Sequence, residues 1–470
     1  MRPAPSFALC LGVFIATLAY AEPTVVTVRP AQRLQEFQGL GCGAIFYEAH
    51  MTSLGDHGRT NEQEQLYDVM FRDVRTDYLQ LMIRHDHEPV NDNDDPYLPA
   101  FDEQHFDYCK HPLRIAAAAK KRQPTMQLHA VLYTPPGWMK TNGEPGGGGQ
   151  KRGALKEGLE LEFAEFAWAF LAHMHRRGQT IDYLSICNEP DWPHDQPSHF
   201  LSPERHADLL ATVCGYLDEM AKRQPDVPRV KIVAPNNLSA VDCAGKYLPP
   251  ALAKAGRWID VVGCHDYDRR GHRWAAVRAL TGDRPLWQTE SCFNGHDASP
   301  GLINSAGEHW LNMTEAFNEG VNVWMAYDWV YPPRQGGEAL IHLNWARSYA
   351  PTKIYHAFRQ WSAPLVPGMR VVGSEVAGPA ASGIAKPGVK ASAFATANGR
   401  RLVVHVGAIQ DQPADIVVRI DQGPADARAQ VWRTSRDEEM AELPPAVFRD
   451  GVWSTTLPGR GLLTLVIDRP

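Results

Sequence analysis

Two stretches of the chain end a short apolar run on an acid. One is Leu184-Ser185-Ile186-Cys187-Asn188-Glu189-Pro190, the other Pro285-Leu286-Trp287-Gln288-Thr289-Glu290-Ser291. Each reads as a buried strand, and Pro190 stops the first. A carboxylate at the end of a buried strand costs free energy unless it is paired or hydrogen-bonded. Each glutamate is therefore a structural ion pair or a working acid, and one alone leaves both readings open. The recurrence favours work: two strand-terminal glutamates, about a hundred residues apart, suggest a carboxylate pair facing one cleft. Facing carboxyl groups are what glycoside hydrolysis uses, one to protonate the leaving oxygen and one to attack or to activate water. Glu189 and Glu290 are the candidate catalytic residues.

Regular alternation surrounds them. Strands are expected over 37–44, 78–84, 126–133, 181–189, 230–236, 259–267, 285–290 and 321–329. Helical spacing falls between them, over 62–72, 113–121, 159–177, 203–223, 247–255 and 306–318. In the third of these, Phe163, Phe166, Ala167, Phe170 and Met174 share one face. Strand–helix repeats predict parallel strands with right-handed crossovers, and eight of them an α/β fold, the (β/α)8 TIM barrel. The strand C-termini of such a barrel open on one face, which carries the active site. Glu189 would end the fourth strand and Glu290 the seventh, nearly across the ring. From residue 369 the pattern changes to short β runs over 369–372, 390–397, 401–409, 415–420, 429–434 and 461–467, separated by Gly, Pro and Asp turns. That is the pattern of an antiparallel β-sandwich. The run 24–28 lies outside the barrel count and is expected to join it. The expected division is a signal peptide (1–21), an N-terminal strand joining the sandwich (22–34), the catalytic barrel (35–363) and the sandwich domain (364–470).

The first residues, Met1-Arg2, an apolar run from Phe7 to Tyr20 and the A-x-A end Ala19-Tyr20-Ala21, form a secretory signal. Secretion or a periplasmic location is expected, with cleavage after Ala21. No later run is long enough for a membrane span. The formal charge is −7, and Arg2 is the one charged residue of the signal, so the mature chain carries −8. Without a basic tract, nucleic acid is not an expected partner. Of eight cysteines, Cys10 leaves with the signal; Cys42, Cys187, Cys264 and Cys292 fall in or beside strands, where cysteine acts as a small hydrophobe. An exported chain has room for one or two disulfides. No spacing resembles a zinc site, and no metal ligand is assigned among the candidate site residues. The glycines 146–149 lack a following Lys-Ser/Thr and are a loop, not a phosphate cradle.

The ordered motifs resemble glycoside hydrolase family 30, within the clan of barrel glycosidases that carry Asn-Glu-Pro on the fourth strand. They run from Phe37-Gln38-Gly39-Leu40-Gly41-Cys42-Gly43 through Pro135-Pro136-Gly137-Trp138-Met139-Lys140-Thr141-Asn142-Gly143 to Asn188-Glu189-Pro190. His265-Asp266-Tyr267, Trp287-Gln288-Thr289-Glu290 and the stretch from Tyr355 to Pro367-Gly368 complete the set. The resemblance implies a retaining β-glycosidase with Glu189 as general acid/base and Glu290 as nucleophile, needing no cofactor and taking water as second substrate. It implies substrate contacts from Asn188 to the sugar 2-hydroxyl, from His265 and Tyr267 along the cleft, and from Trp138. Trp324 would lie under the reacting ring and be followed by a cis peptide, and Arg84 would be the cation that keeps Glu290 ionised. Relatives act on glucosylceramide, β-1,6-glucans, β-1,6-galactans, xylans and β-xylosides, so the expected partner is a β-linked oligo- or polysaccharide or a glycolipid. The sequence departs from the family after Arg84, where His85-Asp86-His87-Glu88 leads into Asn91-Asp92-Asn93-Asp94-Asp95. This acidic loop suits sugar hydroxyls or calcium. The rival readings are a carbohydrate-binding protein without catalysis on the same fold, and a metal-dependent hydrolase built on that loop.

Overall fold

The computed structural model describes residues 22–468 apart from 92, 100, 148–152, 193–194, 268–272, 294–295, 334–335, 382–387 and 424–425. The expected signal peptide and the second half of the glycine loop 146–149 lie outside the described residues. The chain opens with β1 (Thr24–Glu36) and then lays down β2 (Gly39–Ala44), β3 (Tyr78–Ile83), β4 (Gln127–Leu132), β5 (Tyr183–Ser185), β6 (Lys231–Pro235), β7 (Ile259–Cys264), β8 (Leu286–Gln288) and β9 (Val323–Ala326). Strands β2 to β9 close in sequence order into a ring of eight, every neighbour parallel. The expected TIM barrel is borne out, with helices such as Glu160–Arg176, Pro203–Arg223 and Ile303–Asn318 returning the chain outside it.

Strand alternation divides two cores. Leu79, Leu81, Leu128, Ala130 and Leu184 face the helices, whereas Tyr78, Tyr183, Val233, Val261, Trp287, Val323 and Met325 fill the ring. These inward side chains explain the central glycine of β2, Gly41. A Cβ on Gly41 would lie 2.8 Å from Met325 Cγ and 3.0 Å from Tyr78 Cβ, so the barrel's own filling requires the glycine.

Nine strands form the second unit. To β1 they add β13 (Arg370–Ala377), β14 (Val389–Ala395), β15 (Arg401–Ala408), β16 (Ala414–Ile420), β17 (Asp426–Thr434), β18 (Ala441–Arg449), β19 (Val452–Leu457) and β20 (Gly461–Asp468). The expected C-terminal sandwich is borne out and includes the N-terminal strand. It is not wholly antiparallel: β1 closes the sheet by pairing antiparallel with β13 and parallel with β16. Strands β18 and β19 escape the sequence reading. Pro444-Pro445 reads as a break, but the structure sets the pair at a register shift opposite Ala429/Val431, where missing N–H groups do not interrupt the ladder. A three-stranded sheet of β10 (Val330–Tyr331), β11 (Ile341–Asn344) and β12 (Ser348–Pro351), also absent from the expected elements, follows the last barrel strand, which ends at Ala326 rather than at 329.

The two units share a buried seam. Trp361 stacks on His405 with centroids 4.2 Å apart, Trp310 sits 4.8 Å from Trp361, and Phe37 sits 5.6 Å from Phe394. Beside these rings runs a buried ionic chain. Arg273 Nη2 lies 2.6 Å from Asp266 Oδ2 and 2.9 Å from Glu315 Oε2, and Lys390 Nζ of the sandwich lies 2.8 Å from Glu315 Oε1. All seven cysteines from Cys42 to Cys292 are free thiols, six of them buried, so the disulfides for which the sequence left room are not formed.

Gly41→Val is expected to destabilise the fold by about 1–3 kcal/mol through overpacking inside the ring. Urea unfolding followed by tryptophan fluorescence measures it, and unchanged stability would show that the interior can yield.

Candidate active site

Strands β5 and β8 are each only three residues long. Beyond them the chain leaves the regular ladder and turns its side chains into the mouth of the ring. Glu189 takes a positive φ of 45°, rare for a residue with a Cβ. Its N–H donates to Asn236 O at 3.1 Å. Asn236, at the end of β6 and itself at φ 60°, donates from Nδ2 to Cys187 O at 3.0 Å and accepts from Thr289 Oγ1 at 2.6 Å. One asparagine therefore ties the segment before Glu189 to the residue before Glu290.

The two carboxylates meet. Glu189, His265 and Glu290 each offer one atom such that all three lie within 4.8 Å of one another. His265 Nδ1 is 2.8 Å from Glu189 Oε1 and 3.8 Å from Glu290 Oε1. Glu290 accepts Tyr267 Oη on Oε1 at 2.8 Å and Tyr133 Oη on Oε2 at 3.0 Å. Burial holds the imidazole of His265 below its ordinary pKa and hence neutral. Its Nε2 is buried without a partner. An unmatched lone pair costs less than an unmatched N–H, so we place the proton on Nδ1, donating to Glu189 Oε1. A proton on Glu189 then occupies Oε2. Burial, with Asp191 nearby, raises the Glu189 pKa to about 8. Burial also raises Glu290, and so does Glu189; His265 and the two tyrosine hydroxyls oppose the rise. The two environments thus separate a proton holder from a carboxylate supplied with donors.

The cleft over the pair encloses about 590 Å³. Asn188 and Tyr267 line it, whereas His265 is fully buried beneath the carboxylates. Asn188 Oδ1 is buried without a hydrogen-bond partner. Three expected contacts fall elsewhere. Arg84 donates from Nε to Asp86 Oδ2 at 2.9 Å and stacks 3.9 Å over the Tyr108 ring, so it neutralises its own loop and not Glu290. Trp138 donates to Glu88 O at 2.9 Å and anchors the acidic loop. Trp324 is fully buried and donates to Asn312 Oδ1 at 2.7 Å, because strand parity turns it towards the helices while Val323 and Met325 point inwards. The non-proline cis peptide among the described residues is Tyr327–Asp328, three residues past the expected place, and Tyr327 is the aromatic residue that lines the cleft there.

Tyr133, Phe46, Trp192, Tyr331 and Glu338 also line the cleft and are not among the expected contacts. Tyr133 directly follows β4, a strand-end position that carries a readable signal; Tyr331 and Glu338 belong to the region of the three-stranded sheet. Glu189, His265 and Glu290 are also the one set among the described residues that brings three His, Cys, Asp or Glu atoms close enough for a metal ion. Both Glu290 oxygens already accept tyrosine hydroxyls, so the set is complete as a hydrogen-bonded carboxylate pair.

The barrel is shared by proteins to which the chain is similar. The sequence model of the glycosyl hydrolase family 30 TIM-barrel domain matches residues 86–228. An endo-1,6-β-D-glucanase of Neurospora crassa is 22% identical over 215 residues, 45% of this chain and 42% of that protein, so the match spans less than half of the relative's length. A family 30 subfamily 8 xylanase from Clostridium acetobutylicum superposes with a TM-score of 0.69 at 18% identity, covering 94% of this chain and 99% of its own. An endo-β-1,6-glucanase superposes with a TM-score of 0.68 at 15% identity, covering 96% of each chain. The resemblance to glycoside hydrolase family 30 is thereby borne out.

Tyr133→Phe and Tyr267→Phe each remove a donor that favours ionised Glu290. Each is expected to raise the Glu290 pKa, read by NMR titration of glutamate labelled with 13C at Cδ. A Glu290 resonance that titrates unchanged in both variants would contradict the assigned hydrogen bonds.

Proposed function

We propose that the protein is a retaining β-glycoside hydrolase in which Glu290 attacks and Glu189 handles the proton. The observation that carries this reading is the approach of the two carboxylates to within 4.8 Å. Double displacement uses a separation of about 5–5.5 Å, whereas inversion needs roughly 6.5–9.5 Å to admit a water between carboxylate and sugar. In the first step a Glu290 oxygen bonds to the anomeric carbon as the glycosidic C–O bond breaks. The proton on Glu189 Oε2 passes to the departing oxygen. In the second step Glu189, now ionised, takes a proton from water; the resulting hydroxide oxygen bonds to the anomeric carbon and releases Glu290. The open amide of Asn188 is positioned for the sugar 2-hydroxyl, a contact that strengthens as positive charge builds on the ring. Tyr133 and Tyr267 keep Glu290 oriented and share the charge that returns to it on release.

The substrate is a β-linked carbohydrate, in keeping with the glucanase and xylanases to which the chain is similar. We further propose export: the basic start Met1-Arg2 and the apolar run from Phe7 to Tyr20 lead to the A-x-A site Ala19-Tyr20-Ala21. Protein recovered from the culture fluid or periplasm should begin at Glu22 on Edman sequencing, and an intact Met1 would refute cleavage.

The acid must enter protonated and the nucleophile ionised. kcat/KM should therefore fall as pH rises through about 8, where Glu189 loses its proton, and fall again as pH drops through the Glu290 pKa, which burial holds above the ordinary carboxylate value. Asp191→Asn removes a neighbouring negative charge and should move the alkaline limb to lower pH. A limb that stays in place would exclude Glu189 as the titrating acid. Incubation with an activated 2-deoxy-2-fluoroglycoside should add one sugar to the peptide carrying Glu290, and dialysis against EDTA should leave turnover unchanged. Labelling on another residue, or loss of activity on chelation, would each overturn the mechanism.

A further inference from the structure

Aromatic rings continue beyond the cleft along one rim. Tyr331 lines the cleft. Its ring lies 4.4 Å from that of Tyr47, Tyr47 lies 5.1 Å from His50, and His50 lies 4.6 Å from Trp345. Exposure rises along the series, from 8% at Tyr331 to 44% at Trp345. Trp345 sits at the turn between β11 and β12, one of few large apolar side chains left in water. The turn is clamped from below. Ala346 N donates to Ser53 Oγ at 2.9 Å, and Arg59 Nη1 donates to Ala346 O at 2.9 Å and also to Arg347 O. Ala346 itself is held at φ 37°, a conformation that residues with a Cβ avoid. Backbone strain and a three-point clamp fix an indole that remains largely open to water. Such a device suits recognition better than packing, since a preset aromatic face loses little entropy when a flat apolar surface covers it.

We infer that Tyr47, His50 and Trp345 form a distal subsite on which the sugar rings of a polymeric β-glycan lie, beyond the ring held at the carboxylates. The occupant follows from continuity with the cleft, since the stripe begins at a cleft wall and its steps are contiguous. This rests on the proposed glycosidase reading. Strands β2 and β9 flank the stripe, whereas Glu189 and Trp192 come from β5, across the ring. The stripe therefore leads away from the acid, on the side that holds the sugar and not the leaving group. A glycan running in that direction places two or more sugars on the side of the scissile bond away from the leaving group, so the protein releases oligosaccharides rather than single sugars from that side.

The test compares Trp345→Ala with the parent on an aryl β-glycoside of one sugar and on soluble β-1,6-glucan and xylan. With stacking lost, kcat/KM on the polymer that serves as substrate should fall about tenfold while aryl-glycoside turnover stays within about twofold. Trp345→Phe, which keeps a ring, should recover part of the loss. In native gels containing each polysaccharide, the inactive Glu290→Gln protein should be retarded in one of them, and adding Trp345→Ala should abolish the retardation. Equal losses on aryl glycoside and polymer, an unchanged polymer rate, or single sugars as the first products would overturn the subsite while leaving the glycosidase assignment standing. A protein that hydrolyses no glycoside refutes that assignment; the gels then decide the subsite alone, and parent mobility equal in all of them refutes it.

Discussion

Two buried carboxylates within 4.8 Å of each other are the constraint around which this molecule is arranged. If both were ionised at that distance, their repulsion would reach about 3.5 kcal/mol at an effective dielectric constant of about 20. The structure relieves the repulsion by letting one group keep its proton. Glu189 lies under burial with Asp191 nearby and with neutral His265 on one oxygen. Glu290 collects two tyrosine hydroxyls. On the proposed reading, the same asymmetry that makes the pair tolerable divides it into an acid and a nucleophile.

Holding the pair needs more than a barrel. The strand ends are irregular, and their loose groups are gathered by Asn236, which bonds to the chain on both sides of the cleft. Asp266, between His265 and Tyr267, is fixed by Arg273 at 2.6 Å. Through Glu315 that arginine leads to Lys390 on β14. The nine-stranded unit is thus part of the support for the β7 end of the site, not an appendage. A buried ionic chain of this kind adds little net stability. Its value lies in geometry, because removing any member strands a buried charge, so the strand end has one well-defined position.

The fold and the acid pair are legible because they leave periodic signals. Strand and helix periods alternate from Gly39 to Ala326, and each glutamate closes an apolar run. The remaining wall of the cleft depends on strand parity and on where each ladder stops, which an apolar run does not mark. The family resemblance sets the sugar platform at Trp324, within an apolar run that continues to 329, whereas pairing ends at Ala326 and Tyr327 lines the cleft. Arg84 ends a barrel strand and so resembles a partner for Glu290, but Asp86, two residues on, satisfies it first. Asn236 carries a usable signal: an Asn-Asn pair just after a strand-ending proline suits a left-handed turn. The prolines of β18 hide a strand that a register shift accommodates.

The mechanism proposed for the pair makes two displacements at one anomeric carbon. The most direct measurement is the configuration of the newly released sugar, followed by 1H NMR within the first minutes of hydrolysis of a β-glycoside, before mutarotation. With two displacements the β-anomer appears first and the α-anomer only later as equilibrium is reached. Initial release of the α-anomer would mean a single displacement by water, and Glu290 would then not be the nucleophile.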